Sequence, residues 1–146
     1  MLELRDCETC TACDLALTRQ RVVISRGAAT APLMLIGEAP GAQEDALGQP
    51  FVGRSGQLLD RLLLDVGFNP QNDLYFCNAV KCRPPQNRRP KRAELTACRP
   101  WLDRQIDLVD PNVIILLGAT AVNSLLGIKV GMTQLRGQWL SWEGRE

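Results

Sequence analysis

Hydrophobic positions along the chain fall into short blocks of two kinds. Residues 33–36 (Leu-Met-Leu-Ile) and 113–117 (Val-Ile-Ile-Leu-Leu) are continuous apolar runs, each ending at a glycine, Gly37 and Gly118. Such runs suit strands buried on both faces of a parallel sheet. Residues 74–80 (Leu-Tyr-Phe-Cys-Asn-Ala-Val) read as a further strand. Between these blocks the period changes. Leu58, Leu59, Leu62, Leu63 and Val66 recur at helical spacing after Ser55 and stop at Gly67, which predicts an amphipathic helix with its apolar positions turned to the core. Leu95, Cys98, Leu102 and Ile106 carry a helical period across Pro100, where a kink or restart is expected. Residues 119–126 predict a short helix ended by Gly127.

Strand alternating with helix predicts an α/β fold: three layers, α/β/α, around a short, mainly parallel central sheet. In open sheets of this kind the ligand crevice lies beyond the carboxyl ends of the strands, here residues 37–41 and 78–92. No repeat, low-complexity tract or Gly/Ser linker divides the chain, so residues 1–146 are expected to form a single domain. The tail alternates weakly around Trp139 and Trp142 and reaches a turn signal at Glu143-Gly144-Arg145. A hairpin begins there without its return strand, and the expectation is a C-terminally incomplete domain whose last strand is missing.

At 146 residues and 45% hydrophobic content the chain buries a core without needing metal or disulfides merely to fold. The longest apolar run, residues 113–119, falls far short of the roughly 20 residues of a membrane span. The N-terminus carries acids and cysteines in place of a secretory signal, so a cytoplasmic protein with no membrane role is expected. Histidine is absent, which excludes any histidine base, nucleophile or metal ligand within this sequence. A net charge of +1 hides an uneven distribution. Residues 81–92 hold Lys81, Arg83, Arg88, Arg89, Lys91 and Arg92 with Pro84, Pro85 and Pro90 and no acid. This stiff cationic loop is either a solvated surface or a contact for nucleic-acid phosphates.

The cysteines Cys7, Cys10, Cys13, Cys77, Cys82 and Cys98 suit metal ligands or free thiols better than a disulfide framework in such a protein. Cys7, Cys10 and Cys13 make two overlapping C-x2-C pairs, and Cys82 and Cys98 can close a four-thiolate site. Spacing alone leaves zinc and an iron-sulfur cluster both open. Cys77, inside a strand, reads as a buried free thiol, and Cys7 stays ambiguous.

Gly37-Glu38-Ala39-Pro40-Gly41 places a compact loop at a strand end, where backbone approaches a ligand closely. Phe51 lies at the mouth of the following helix and would either stack a planar ligand or staple the helix. Asn78 offers an amide that would either read the edge of a base or cap a turn.

Together the segments GEAPGAQED, PFVGRSGQLLDRLL, CNAVKCRPPQNRRP, ELTACRPWLDRQI and IILLGATA resemble the iron-sulfur, family-four uracil-DNA glycosylases, in order and spacing, from about Cys10 to Trp142. The resemblance implies a base-excision-repair enzyme that hydrolyses the N-glycosidic bond of flipped-out deoxyuridine. It implies a structural 4Fe-4S cluster on Cys10, Cys13, Cys82 and Cys98, leaving Cys7 and Cys77 as non-ligands. It further implies that Phe51 stacks on uracil, that Asn78 reads its N3 and O4, and that Gly37, Ala39, Pro40 and Gly41 wall the pocket. Glu38 and Asn87 would hold the attacking water, and Lys81, Arg83, Arg88 and Arg89 would meet DNA phosphates. Ala39 stands where classical uracil-DNA glycosylases have an aspartate, which shifts the expected mechanism toward leaving-group stabilisation.

The chain departs from the family at the His-Pro-Ser segment that donates to uracil O2, which is absent. Losing one preorganised donor typically costs about 100- to 1000-fold in rate. The alternatives are therefore a weak or inactive DNA-binding module of the same fold, and a zinc-bound structural domain on the same four cysteines. Uracil-containing DNA is the expected partner and a monomer the expected state. No residue pattern assigns a polymerase clamp as a partner.

Overall fold

The computed structural model describes residues 3–129 and 131–145. Its centre is a four-stranded sheet in the order β1-β3-β2-β4. The strands are β1 (Arg26–Gly27), β2 (Leu33–Gly37), β3 (Leu74–Asn78) and β4 (Val113–Leu116). β2 runs parallel to both β3 and β4, and the short β1 is antiparallel to β3. The helices are α1 (Ala42–Leu47), α2 (Arg54–Asp65), α3 (Arg92–Val109), α4 (Ala119–Leu126) and α5 (Met132–Leu135).

Side chains alternate across the sheet with period two, which generates the layers. Met34, Ile36, Tyr75 and Cys77 point to one face, where Leu102, Ile106 and Val109 of α3 and Ala121 and Leu125 of α4 cover them. Leu35, Leu74 and Phe76 point to the other, where Leu59 and Leu63 of α2 pack. Among the described residues no helix is long and apolar enough to cross a membrane.

Three sequence expectations are corrected. Only part of the apolar stripe of α2 turns inward: Leu63 is buried and Leu59 packs on the core, whereas Leu58, Leu62 and Val66 stay exposed. α3 runs unbroken from Arg92 to Val109 through Pro100. Pro100 and Thr96, whose carbonyl the proline deprives of its helical donor, are both exposed, on the side of the helix where a proline is tolerated. β3 ends at Asn78 instead of residue 80. Beyond it the backbone still donates from Ala79 to the Gly37 carbonyl (2.8 Å) and from Val80 to the Glu38 carbonyl (3.2 Å), but as a diverging loop. The turn signal in the tail is realised: Trp142 and Arg145 exchange both backbone hydrogen bonds at 2.8 Å around Glu143 and Gly144, both at positive φ. Among the described residues β4 is paired on its β2 side alone, and an apolar groove bounded by β4, Leu125, Met132 and Trp142 lies beside it.

Candidate active site

Register brings the site together. Gly37 and Asn78 end neighbouring parallel strands and pair directly. A β-carbon at Gly37 would lie 2.6 Å from Asn78 Oδ1 and 2.6 Å from Phe51 Cζ, so the amide and the ring converge over a backbone with no room for a side chain. Asn78 is only 3% exposed. Phe51 itself has φ 56, a left-handed conformation uncommon for a bulky residue. Arg26 holds it there, donating to the carbonyls of Pro50 (2.8 Å) and Phe51 (3.0 Å) while pairing with Asp60 at 2.8 Å. The Arg26 guanidinium also lies 3.9 Å above the centre of the Phe76 ring, which meets the Phe51 ring at 5.8 Å. The start of α2 packs directly on this turn, since a β-carbon at Gly56 would lie 2.0 Å from the Phe51 carbonyl oxygen.

Glu44 ties the loops together. One carboxylate oxygen accepts from the Gly41 N–H (3.1 Å), and the other accepts from the N–H groups of Val52 (3.0 Å) and Gly53 (2.6 Å). The resulting open cavity of about 410 Å³ is lined by Glu38, Ala39, Pro40, Gly41, Phe51, Asn78, Asn87 and Arg88 of the expected set, with Gly37 forming the backbone beneath. Its size suits a small planar ligand. Glu38 and Asn87 both reach its wall, but each has its own partner. Thr120, at the start of α4, donates to Glu38 Oε2, and Arg83 donates to Asn87 Oδ1 at 2.7 Å.

Lys81 is withdrawn from the expected DNA contacts. It is 1% exposed, and its ammonium donates to the Asn78 carbonyl at 2.5 Å. Residues 79–81 follow the buried strand inward, and the Val23 N–H closes over them by bonding to the Lys81 carbonyl (2.7 Å). Arg88 is half-exposed and pairs with Glu94 at 2.7 Å. Burial would raise the Glu94 carboxyl, but the Arg88 guanidinium and the Lys91 N–H outweigh it and hold the group below the usual carboxylate range. Arg89, Lys91 and Arg92 remain exposed.

A second cavity lies behind the basic loop, lined by Cys7, Cys10, Cys13, Cys82, Cys98, Lys81, Arg19 and Trp101. Hydrogen-bond donors are aimed at the sulfurs: Trp101 Nε1 at Cys10 (3.4 Å), an Arg19 guanidinium nitrogen at Cys82 (3.4 Å) and the Lys81 N–H at Cys98 (3.3 Å). The same Arg19 nitrogen donates to the Cys10 carbonyl at 2.6 Å, linking the N-terminal turn to the loop. Burial pushes the Cys98 thiol up to about 11 against the opposing charge of Lys81, and pushes Cys7 up to about 12. Among the described residues no three His, Cys, Asp or Glu side chains converge on a single metal ion. Cys77 lies elsewhere, in the core with Met34, Ile36 and Leu102.

Residues 24–144 match the family model described as the uracil DNA glycosylase superfamily. The chain belongs to that superfamily. It is 46% identical over 136 residues to the type-4 uracil-DNA glycosylase of Thermotoga maritima, covering 92% of this chain and 70% of that protein. Type-4 enzymes of Sulfurisphaera tokodaii (38% over 143 residues) and Saccharolobus solfataricus (40% over 137 residues) match 94% and 91% of this chain. The chain spans 64% and 63% of the lengths of these last two. The superfamily fold accords with the three layers seen here, with the cavity at the carboxyl ends of β2 and β3.

Several residues of this uracil-DNA glycosylase superfamily member were not singled out from its sequence. Arg26 acts on a turn distant in sequence, and Glu44, in the GEAPGAQED segment, acts on nearby backbone N–H groups that only the fold turns toward it. Thr120 follows the glycine that ends the β4 run, a strand-end position that could have marked it. Arg19 and Trp101 carry no local signal, because their targets are thiols brought in by the fold.

Proposed function

We propose that this chain hydrolyses the N-glycosidic bond of deoxyuridine flipped out of DNA. The observation that carries the reading is the convergence of the Phe51 ring and the Asn78 amide over Gly37, in a chain of this superfamily. Uracil stacked on Phe51 presents O4 as acceptor and N3–H as donor to the two ends of the Asn78 amide. Cytosine presents the opposite pattern and leaves buried polar groups unpaired, at about 1–3 kcal/mol each. As the bond breaks, charge moves onto the uracil oxygens and the sugar becomes oxocarbenium-like, so fixed donors beside the base lower the barrier. Glu38, oriented by Thr120, and Asn87, oriented by Arg83, line the wall from which a held water would attack the sugar. With Ala39 in the loop where a carboxylate base would stand, stabilisation of the departing base takes the larger share. Arg83 and Arg89 supply phosphate contacts, and the DNA partner is met by a monomer in the cytoplasm.

The same reading assigns a 4Fe-4S cluster to Cys10, Cys13, Cys82 and Cys98. Their chemistry fits: four thiols surround a space instead of a point, and three accept hydrogen bonds from fixed donors, as cluster thiolates do. When bound, the cluster supplies a structural cross-link. The chain's own residues use it to brace the basic loop against α3.

Single-turnover excision from a uracil-containing single strand by iron-loaded protein tests the reading. Cleavage by the native chain and a loss of about 100- to 1000-fold in Asn78→Ala are expected. DNA binding without any cleavage would instead establish a non-catalytic module, and full activity in Asn78→Ala would remove the assigned pocket.

A further inference from the structure

Five thiols, not four, face the cavity behind the basic loop. Cys7 is 1% exposed, lines that cavity, and among the described residues belongs to none of the three apolar clusters. Cys77, by contrast, is packed inside one of them. The short 3-10 helix Leu4–Thr9 that carries it packs against α3, the helix bearing Cys98, and a backbone bond from the Cys10 N–H to the Cys7 carbonyl (3.1 Å) fixes the turn between them. Cys7-x2-Cys10 repeats the spacing of Cys10-x2-Cys13. Shifting the pair by one unit presents a second pair of thiols at the same spacing to the same cavity.

We propose that Cys7 is a reserve ligand of the cluster site that takes the place of Cys13. This rests on the iron-sulfur reading above. Cys13 is the replaceable member because Cys10, Cys82 and Cys98 are each held by a donor (Trp101, Arg19 and the Lys81 N–H), whereas Cys13 has no such donor among the described residues. The exchange moves no electrons. The Cys7 thiol releases its proton to water and its sulfur bonds iron as the Cys13 sulfur–iron bond breaks, and the released Cys13 thiolate takes up a proton.

Iron and acid-labile sulfide content, with visible absorbance, of anaerobically purified variants test this without recourse to activity. Cys7→Ala and Cys13→Ala are each expected to retain the cluster. The Cys7→Ala/Cys13→Ala double variant is expected to lose it, as is Cys82→Ala, which has no substitute. A Cys13→Ala variant that loses the cluster as completely as the double variant overturns the proposal. Because a Cys13 variant could fail by misfolding, cluster release to an iron chelator is compared in native protein and Cys7→Ala, where all four assigned ligands remain. Faster release from Cys7→Ala is expected, and equal rates overturn the proposal. Native protein devoid of iron would refute the cluster reading itself, a result distinct from either of these.

Discussion

Glu38 owes its orientation to one hydroxyl. Thr120 reaches it from the first turn of α4, while β2 supplies only the backbone. Thr120→Val keeps the shape and removes the donor, so excision should fall about tenfold, about 1.4 kcal/mol of barrier, with Thr120→Ser restoring most of it. The fall belongs in the rate of the chemical step, with uracil-DNA affinity unchanged, and single-turnover kinetics separates the two. At this scale the sequence was informative where chemistry is local. A strand end, an aromatic and an amide drew attention to Gly37, Phe51 and Asn78, but the residues alone left a helix staple and a turn cap open, and their proposed roles came from the resemblance. Lys81 could not be placed, because its burial follows from the Val23 backbone and the Asn78 carbonyl, which no spacing reveals.

Among the elements, the two loops flanking α1 behave as one body because Glu44 accepts three backbone N–H groups. Glu44→Gln retains one acceptor and turns the other end into a donor facing N–H groups. A loss of about 1–3 kcal/mol is expected, which at this chain length lowers the melting temperature by several degrees. Calorimetry of the variant checks it, and uracil excision should weaken in parallel as Phe51 loosens. Strands were the most legible elements: β2 is the buried run its pattern predicts, whereas β4, read from the same pattern as buried on both faces, forms a strand whose residues stay partly exposed at the sheet edge. The facing of α2 was less so: Leu58, Leu62 and Val66 satisfy the helical period yet stay exposed, because periodicity reports a stripe and not how much of it the core meets. α1 escaped because its six residues bury only Asp45, whose carboxylate takes the N–H groups of Gln20 (2.9 Å) and Arg21 (3.2 Å).

For the whole molecule, charge and protons give two expectations. Arg89, Lys91 and Arg92 are exposed whereas Lys81 is buried. Replacing those three by alanine should flatten the logarithmic salt dependence of single-strand binding by about 2, at about 0.7 per phosphate contact. Fluorescence-anisotropy titrations at several salt concentrations measure the slope. The second concerns the metal-free chain. Cys98 rises from 9.0 to about 11 on folding, mainly through burial, and Cys7 to about 12. Raised thiols stabilise the fold fully below pH 9, and that contribution is lost as pH climbs through the folded values. The urea midpoint of chelator-stripped protein should therefore fall between pH 9 and about 11, while iron-loaded protein, its ligands already deprotonated, should fall less.

Lys81 lends its N–H to Cys98 and its ammonium to Asn78, so one residue serves the thiol cavity with its backbone and the base-reading cavity with its side chain. The two cavities share a hinge pin. If Asn78 reads the base as proposed, a shift at the sulfur end reaches its backbone through this one residue, and weakened discrimination of uracil from cytosine is the expected first consequence of disturbing the thiol cavity.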